Sequence, residues 1–393
     1  VSPVRFVNIR FEGETMRPQH PRGLRAALAI TASATLLVSL AACSSGDSGG
    51  SGSGGDAAGA VDCNVGISMP TRSLERWIND GEGLQKLLQD QGCTTDLQYA
   101  DNKTDQQISQ LQNQIAGGAK ILVITAIDGD TLGPVLDEAE KQDVTVIAYD
   151  RLINNSAAID YHTGFDNEKV GELQAGYIVD QLGLKDGKGP YTFEPFAGSP
   201  DDNNARYFFS GAWDVLLPYV QNGQLVVPSG KAPESNDDWA SIGILGWGSD
   251  DAQAEMENRL SSFYTGGEKV DVILSPNDSL ALGIEAALKG AGYTPGPDWP
   301  IVTGQDADKA NVQAILNDQQ AMTVWKDTRV LRERTAEMIA SIVAGEEVET
   351  TTEFDNGATT VKSYELDPEV VVKDDVQTKL VDSGFVKASD VGL

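Results

Sequence analysis

Residues 121–149 read ILVITAIDGDTLGPVLDEAEKQDVTVIAY, and the fold turns on how this stretch is parsed. Ile121-Leu122-Val123-Ile124 is a short unbroken aliphatic run, the pattern of a strand covered on both faces. From Leu132 to Lys141 the apolar residues Leu132, Val135, Leu136 and Ala139 recur at helical spacing. Val144 to Tyr149 is again a short apolar run. Strand, helix and strand in one span mean a crossover unit, and hence a parallel sheet flanked by helices.

The same rhythm extends in both directions. Val65 to Met69 reads as a strand, and Trp77 to Gln91 as a helix with Trp77, Ile78, Leu84, Leu87 and Leu88 on one face. Asp96 to Tyr99 is a further strand, followed by a helix marked by Ile108, Leu111 and Ile115 and closed at Gly117-Gly118. After a break near Gly164 the pattern resumes. Strands are expected at 191–194, 224–227, 270–274 and 301–304, with helices at 252–264 and 279–290. Beyond Ala321 come a strand (Met322 to Trp325), a long helix (Thr328 to Ala344) and a tail with scattered β signals. That helix is expected to pack back on the first unit. The chain thus reads as α/β, two Rossmann-like lobes joined by more than one crossing.

The N-terminal region has another character. Arg17, Arg22 and Arg25 precede an apolar stretch, Ala26 to Leu40, which ends in Ala41-Ala42-Cys43. Positive, apolar and small segments in that order form a secretory signal, and a cysteine at the cut looks like a bacterial lipobox. The run is short of the ~20 apolar residues that a membrane span needs. Residues 1–42 are therefore read as a signal peptide with an over-long start, Met16 being the expected initiator. Residues 43–61 are read as a lipidated tether, since Ser44 to Ala60 holds only Ser, Gly, Ala and Asp. The folded part is placed outside the cytoplasm, lipid-anchored through Cys43 to the outer face of the cytoplasmic membrane. There Cys63 and Cys93 are expected to pair as a disulfide, both lying just before a predicted strand.

Charge narrows the partners. The chain has 29 basic and 59 acidic residues, a net charge of −30. Without residues 1–42, which hold five Arg and two Glu, the balance is 24 against 57, net −33. Such a surface repels nucleic acid, and anionic metabolites as well unless a basic pocket intervenes. Neutral solutes are its natural ligands. His162 alone among the histidines lies past the signal, which weakens Ser-His-Asp and His-rich metal schemes. No metal and no cofactor is expected.

In an α/β sheet of this kind, ligands bind beyond the carboxyl ends of the strands. The predicted strand ends carry Arg76-Trp77, Asp150-Arg151, the run Glu194 to Asn204, Trp247, Ser275-Pro276-Asn277-Asp278, Gln305-Asp306 and Lys326. Planar Asp, Asn and Arg groups engage adjacent sugar hydroxyls in pairs. Indole faces suit the C–H faces of a pyranose. Asp150 with Arg151, and Asp306 with Lys326, would balance charge. Each motif also has a structural reading. Asp150-Arg151 suits a surface ion pair, the tryptophans suit a core, Asn203-Asn204 suits a helix cap, and Asp278 could cap a helix from Ser279. Their shared placement at strand ends favours a binding cleft.

These motifs, in this order from about residue 62 to 390, resemble the periplasmic monosaccharide-binding proteins of ABC transporters, among them the multiple-sugar and xylose receptors. The resemblance implies the periplasmic binding protein type I fold, with three hinge crossings and one sugar between the lobes. It implies sugar contacts from Arg76, Trp77, Asp150, Arg151, Asn204, Trp247, Asn277, Asp306 and Lys326, with Glu194 and Asp278 as weaker candidates. It implies an aldose of xylose, arabinose, glucose or galactose type, and an ABC permease as partner to a monomeric binding protein. The expected lobes are 62–164 with 327–355, and 165–326 with 356–393. Asn277, Trp325 and the cysteine pair depart from the family pattern, and Asn277, bordering the sugar, leaves its identity open. Two rivals stand beside this reading. A secreted hydrolase could use Asp150 and Asp306, but neighbouring cations lower a carboxylate pKa rather than raise it for acid work. A sugar-responsive regulator would need a helix-turn-helix where this chain has a signal and tether.

Overall fold

The computed structural model describes residues 62–296 and 298–393. The signal region, Cys43 and the tether lie outside the described residues. The chain runs through β1 (Asn64–Met69), α1 (Glu75–Asp90), β2 (Thr94–Tyr99), α2 (Thr104–Ala116), β3 (Ile121–Ile124), α3 (Gly133–Lys141), β4 (Thr145–Tyr149) and β5 (Tyr161–Phe165). It continues through α4 (Asn167–Leu182), β6 (Tyr191–Pro195), α5 (Asn203–Gln221), β7 (Leu225–Val226), α6 (Ser249–Phe263), β8 (Val272–Leu274), α7 (Asp278–Gly290), β9 (Ile301–Val302), α8 (Lys309–Leu316) and β10 (Thr323–Trp325). It closes with α9 (Thr328–Ala344), β11 (Thr352–Asp355), β12 (Thr360–Leu366), β13 (Glu369–Val371) and α10 (Ala388–Val391).

Two sheets organise these elements. The first has the order β11-β12-β5-β4-β3-β1-β2, parallel except for the antiparallel edge strand β11. Its central strands are sheathed by helices on both faces, which is why Ile121 to Ile124 are all fully buried. The second has the parallel order β7-β6-β8-β9. The antiparallel pair β10-β13 continues it through a bridge between Gln305 and Val324. Both sheets reverse strand order next to their first strand, at β1/β3 and at β6/β8, and a crevice forms at such a switch point.

The chain crosses between sheets three times, at 165–167, 326–328 and 367–368. The last of these corrects the expected boundary after residue 355. β12 pairs in parallel with β5 from Lys362↔Tyr161 to Leu366↔Phe165 and buries Val361 and Ser363, so residues 356–366 belong to the first lobe. Helix α9 returns to the first lobe and packs along α1, as its sequence suggested.

Local chemistry explains the element ends nearest the cleft. The Asp202 carboxylate accepts from the Asn204 N–H at 2.9 Å and caps α5, so the cap is Asp202 rather than Asn203-Asn204. Asn277 caps α7 by accepting from the Leu280 N–H at 3.0 Å, the role expected of Asp278. Cys63 and Cys93 are disulfide-bonded at the starts of β1 and β2, the end of the sheet opposite the crevice. Closing a 30-residue separation contributes about 3–4 kcal/mol by restricting the unfolded chain.

The second lobe depends on a close crossing of α4 and α5. A methyl group at Gly171 would lie 2.0 Å from the Phe208 carbonyl oxygen, and one at Gly211 2.0 Å from that of Glu168. Both obstacles are backbone and cannot swing aside. Gly171→Ala or Gly211→Ala is expected to push the helices apart and destabilise the protein by about 1–3 kcal/mol or more. A urea midpoint equal to that of the wild type would contradict this packing.

Candidate functional site

The crevice between the two sheets contains a cavity lined from both lobes. The first lobe supplies Leu74, Arg76 and Trp77 from the start of α1, and Asp150 and Arg151 from the end of β4. The second supplies Asp202, Asn204 and Phe208 from the start of α5, then Trp247, Asn277, Gln305, Asp306, Asp308 and Lys326. All nine of the principal residues expected from sequence thus line a single cavity. Three of the lining residues hold left-handed backbone, Asp150 (φ 63), Trp247 (φ 57) and Asp306 (φ 100). Strain of this kind persists where surrounding structure holds a side chain on target.

Charge pairing inside the cavity crosses the lobes. Arg76 binds Asp150 of its own lobe and, at 3.2 Å, Asp306 of the other. Behind it, Asp80 lies 3.5 Å from the Arg76 guanidinium and 3.6 Å from that of Arg332. Lys326 lies 3.0 Å from Asp306, the pair expected from sequence. The expected Asp150–Arg151 pair does not form. Arg151 reaches across to Asp202 at 2.9 Å and donates to the Ala126 carbonyl at 2.8 Å. Asn204 donates to the Asp150 carbonyl at 3.0 Å and to its carboxylate at 3.2 Å.

The aromatic surfaces are held by specific contacts. The Arg76 and Arg151 guanidinium carbons lie 4.6 and 5.2 Å from the Trp77 ring centre. Trp247 donates from Nε1 to Asp202 at 3.0 Å and meets Phe208 edge-on at 6.2 Å. Its ring lies against Gly198, where a methyl group would sit 2.0 Å from an indole carbon. Only glycine leaves room for this plate.

Ionisation follows from the pairing. Burial pushes Asp150 up, but Arg76, Lys326 and Arg151 outweigh it and hold the carboxyl below its usual range. Burial likewise opposes charge on Arg76, and Asp150, Asp306 and Asp80 more than restore it. For Asp202 burial prevails over Arg151 and the pKa rises. Burial, Asp306 and Glu75 push Asp308 up to about 7. The cavity's three cations are all paired with carboxylates, so no positive charge is left over for an anion. What it offers is fixed donors and acceptors between two indole plates, which suits a neutral polyhydroxyl compound.

The weaker candidates are structural. Glu194 is fully buried away from the cavity, 3.1 Å from Arg259 and accepting from Tyr264 and Ser229 at 2.8 and 2.6 Å. Asp278 sits behind the 304–308 loop, where it accepts from Gln320, Thr323 and the Asp308 N–H at 2.8, 3.1 and 3.0 Å. Leu74, Phe208 and Asp308 also line the cavity without having been expected there, and Asp202 and Gln305 were placed at strand ends but not among the contacts. Phe208 lies one helical turn beyond Asn204, a spacing that could have found it.

His162 lies beneath the site, 3% exposed, with Nε2 3.5 Å from the Asp150 carbonyl. Burial lowers its pKa from 6.5 to about 4. The unfolded chain therefore takes up this proton first as pH falls. The stabilisation is complete above pH 6.5, declines from there to about 4 and is absent below, a span of about 3 kcal/mol. Relative to wild type, His162→Gln is expected to lose less stability between pH 7.5 and 4 by about that amount. Parallel urea curves for the two proteins over this range would refute the assignment.

Comparison with known proteins agrees with this geometry. The family model described as "Periplasmic binding protein domain" matches residues 65–347. The multiple sugar-binding periplasmic receptor ChvE of Rhizobium radiobacter is 48% identical over 330 residues, 83% of this chain and 92% of the receptor. The D-xylose-binding periplasmic protein of Escherichia coli is 35% identical over 335 residues, 85% of this chain and 94% of that protein. A solute-binding protein of an ABC transporter from Clostridium phytofermentans, crystallised with β-D-glucose, is 44% identical with a TM-score of 0.79. It covers 84% of this chain and 99% of its own.

Proposed function

The chain belongs to the periplasmic binding protein family, and from that premise we propose that it captures one neutral aldose by closing its two lobes and delivers it to an ABC importer. It is a sugar-binding receptor of the transport class and not an enzyme. The finer reading assigns Arg76, Trp77, Asp150, Arg151, Asn204, Trp247, Asn277, Asp306 and Lys326 as sugar contacts. The observation that carries it is their convergence from two separate sheets on one cavity whose cations are all neutralised. A sugar held there touches both lobes, so it binds the closed state better than the open one and draws the population towards closure. Xylose, arabinose, glucose and galactose types all meet this description. A thermal-shift panel of these aldoses, with a sugar acid as the anionic control, ranks them. Tighter binding of the acid than of every neutral sugar would overturn the reading.

The hydrolase alternative is disfavoured by geometry. Asp150 and Asp306 both bind the one Arg76 guanidinium, and Asp150 is held below the ordinary carboxylate range. Neither is poised as a general acid.

Arg151 tests the site directly. Its removal leaves Asp202 without its cation and the Ala126 carbonyl without its donor. Arg151→Ala is expected to weaken sugar binding by at least about 100-fold, or roughly 3 kcal/mol. Adding Asp202→Asn should restore stability without restoring affinity. Calorimetry showing wild-type affinity in either variant would remove Arg151 from the site.

The reading extends to location. The protein acts as a monomer outside the cytoplasmic membrane, held by lipid on Cys43 and the Gly/Ser tether. Support comes from the order of basic, apolar and small residues before Cys43. In cells fed labelled palmitate, Cys43→Ser is expected to lose the label and release the protein to the medium. Retained label would rule out Cys43 as the acceptor.

A further inference from the structure

Asp308 stands at the edge of the sugar cavity, where it also borders an outer groove lined by Glu75, Thr328 and Arg332. Its carboxylate is not engaged within the protein. Asp308 holds the N-cap position of α8, yet its side chain makes no cap bond. Among the described residues it forms no ion pair and accepts no side-chain hydrogen bond. Lys309, the next residue, turns away to Glu75 of the other lobe. Arg76 and Lys326 are taken by Asp150 and Asp306. The other lining carboxylates, Asp150, Asp202 and Asp306, each have a cation. Unlike the enclosed Nε of Arg76 and Nε1 of Trp77, which also lack partners, the Asp308 oxygens remain accessible.

This idle carboxylate is nonetheless firmly mounted. Three successive N–H groups of its loop are anchored. That of Asp306 donates to the Val324 carbonyl at 3.0 Å, that of Ala307 to the Thr323 hydroxyl at 3.2 Å, and that of Asp308 to the Asp278 carboxylate at 3.0 Å. Asp306 and Ala307 take left-handed backbone, φ 100 and 54, which turns the chain at this point. Buried Asp278 thus fixes the backbone from which Asp308 projects. A part-buried acceptor on a rigid mount, left without a donor, is suited to a ligand.

Charge decides what it would accept. An ionised carboxylate accepts hydrogen bonds and donates none. Burial and the like charges of Asp306 and Glu75 raise its pKa to about 7, against the lowering by Arg76 and Lys326. Asp278, behind the loop, adds a further carboxyl and no cation. A hydroxyl would satisfy the acceptor and leave the charge unbalanced. An ammonium group would satisfy both, through a stronger, charge-assisted bond.

We propose that Asp308 is a further ligand contact and gives the cavity a second class of ligand, amino sugars in which the hydroxyl facing Asp308 is replaced by an amino group. The inference rests on the sugar-capture reading and extends it beyond neutral aldoses.

The test takes whichever of glucose, galactose, xylose and arabinose binds tightest, with its monoamino-monodeoxy derivatives at each non-anomeric position, by calorimetry at pH 7. One derivative is expected to bind at least as tightly as the parent sugar and to compete with it for a single site. Asp308→Asn is expected to weaken that derivative about 30-fold and the parent by no more than about fivefold, the difference between a charge-assisted and a neutral hydrogen bond. Circular dichroism checks the fold of the variant, and the wild-type panel is decisive without it. The inference falls, and sugar capture stands, if every derivative binds more than about tenfold weaker than the parent. It falls equally if the derivative does not compete, which would place the amine in the outer groove, or if Asp308→Asn weakens derivative and parent alike. If no neutral aldose binds, sugar capture falls and the inference with it.

Discussion

The bond between Arg76 and Asp306 holds the rest of the site in register. It joins the first helix of one lobe to a loop of the other, and both ends are already committed elsewhere. Arg76 also carries Asp80 and Asp150, and Asp306 also carries Lys326. A buried ion left single costs several kcal/mol, a large part of a domain's net stability. Each buried charge in this chain therefore needs its partner, or water in that partner's place. In the proposed cycle, opening would separate Arg76 from Asp306 and Arg151 from Asp202, and water would then rehydrate each. Closing returns the Coulombic attraction and removes that water. These terms oppose each other, and in the proposed mechanism a ligand that bridges the lobes would add to the closed side.

This arrangement also reconciles a strongly acidic protein with a polar cavity. The net charge of −30 sits mostly on exposed carboxylates. Inside, each cation is matched locally, and burial raises the one lining carboxyl with no ion-pair partner, Asp308, to about 7. Such a balance suits a neutral ligand, whose hydroxyls would take over hydrogen bonds otherwise made by water. The two indole plates give the ring a surface without adding charge. Gly198 makes one of those plates possible, since any side chain there would occupy the position of Trp247.

Much of this was legible in the chain. The aliphatic runs at 65–69, 121–124 and 144–149 became the buried centre of the first sheet because only strands covered on both faces tolerate them. Helix α9 was found with its ends in place, closed by Gly345 in left-handed conformation. Placing chemistry at strand ends gathered the cavity residues, because a parallel sheet delivers all its strand ends to one side. What escaped was pairing at long range. Asp150 and Arg151 are neighbours in sequence, yet Asp150 sits at φ 63, and the two side chains choose partners in Arg76 and Asp202. The boundary set after 355 also failed. It cut the β11–β12 hairpin at Asn356-Gly357, a turn signal that argued for keeping the two strands together.

The proposed closing motion would need a hinge, and the three crossings are where the chain offers one. Each crossing is only two or three residues long and is fixed at both ends by regular structure. Asp166 caps α4, Asp327 caps α9, and Leu366 ends a strand paired to β5. Rotation is thereby confined to a few backbone angles, and three parallel connections resist sliding while permitting a bend. The caps add a further constraint. Asp166 accepts from the Lys169 N–H and Asp327 from the Arg329 N–H, so the helix starts travel with their lobes. A bend at the crossings would carry Asn204 relative to Asp150, whereas Lys326 lies on the crossing at 326–328 itself. In the proposed mechanism, recognition in the cavity and geometry at the crossings would be linked through that one rotation.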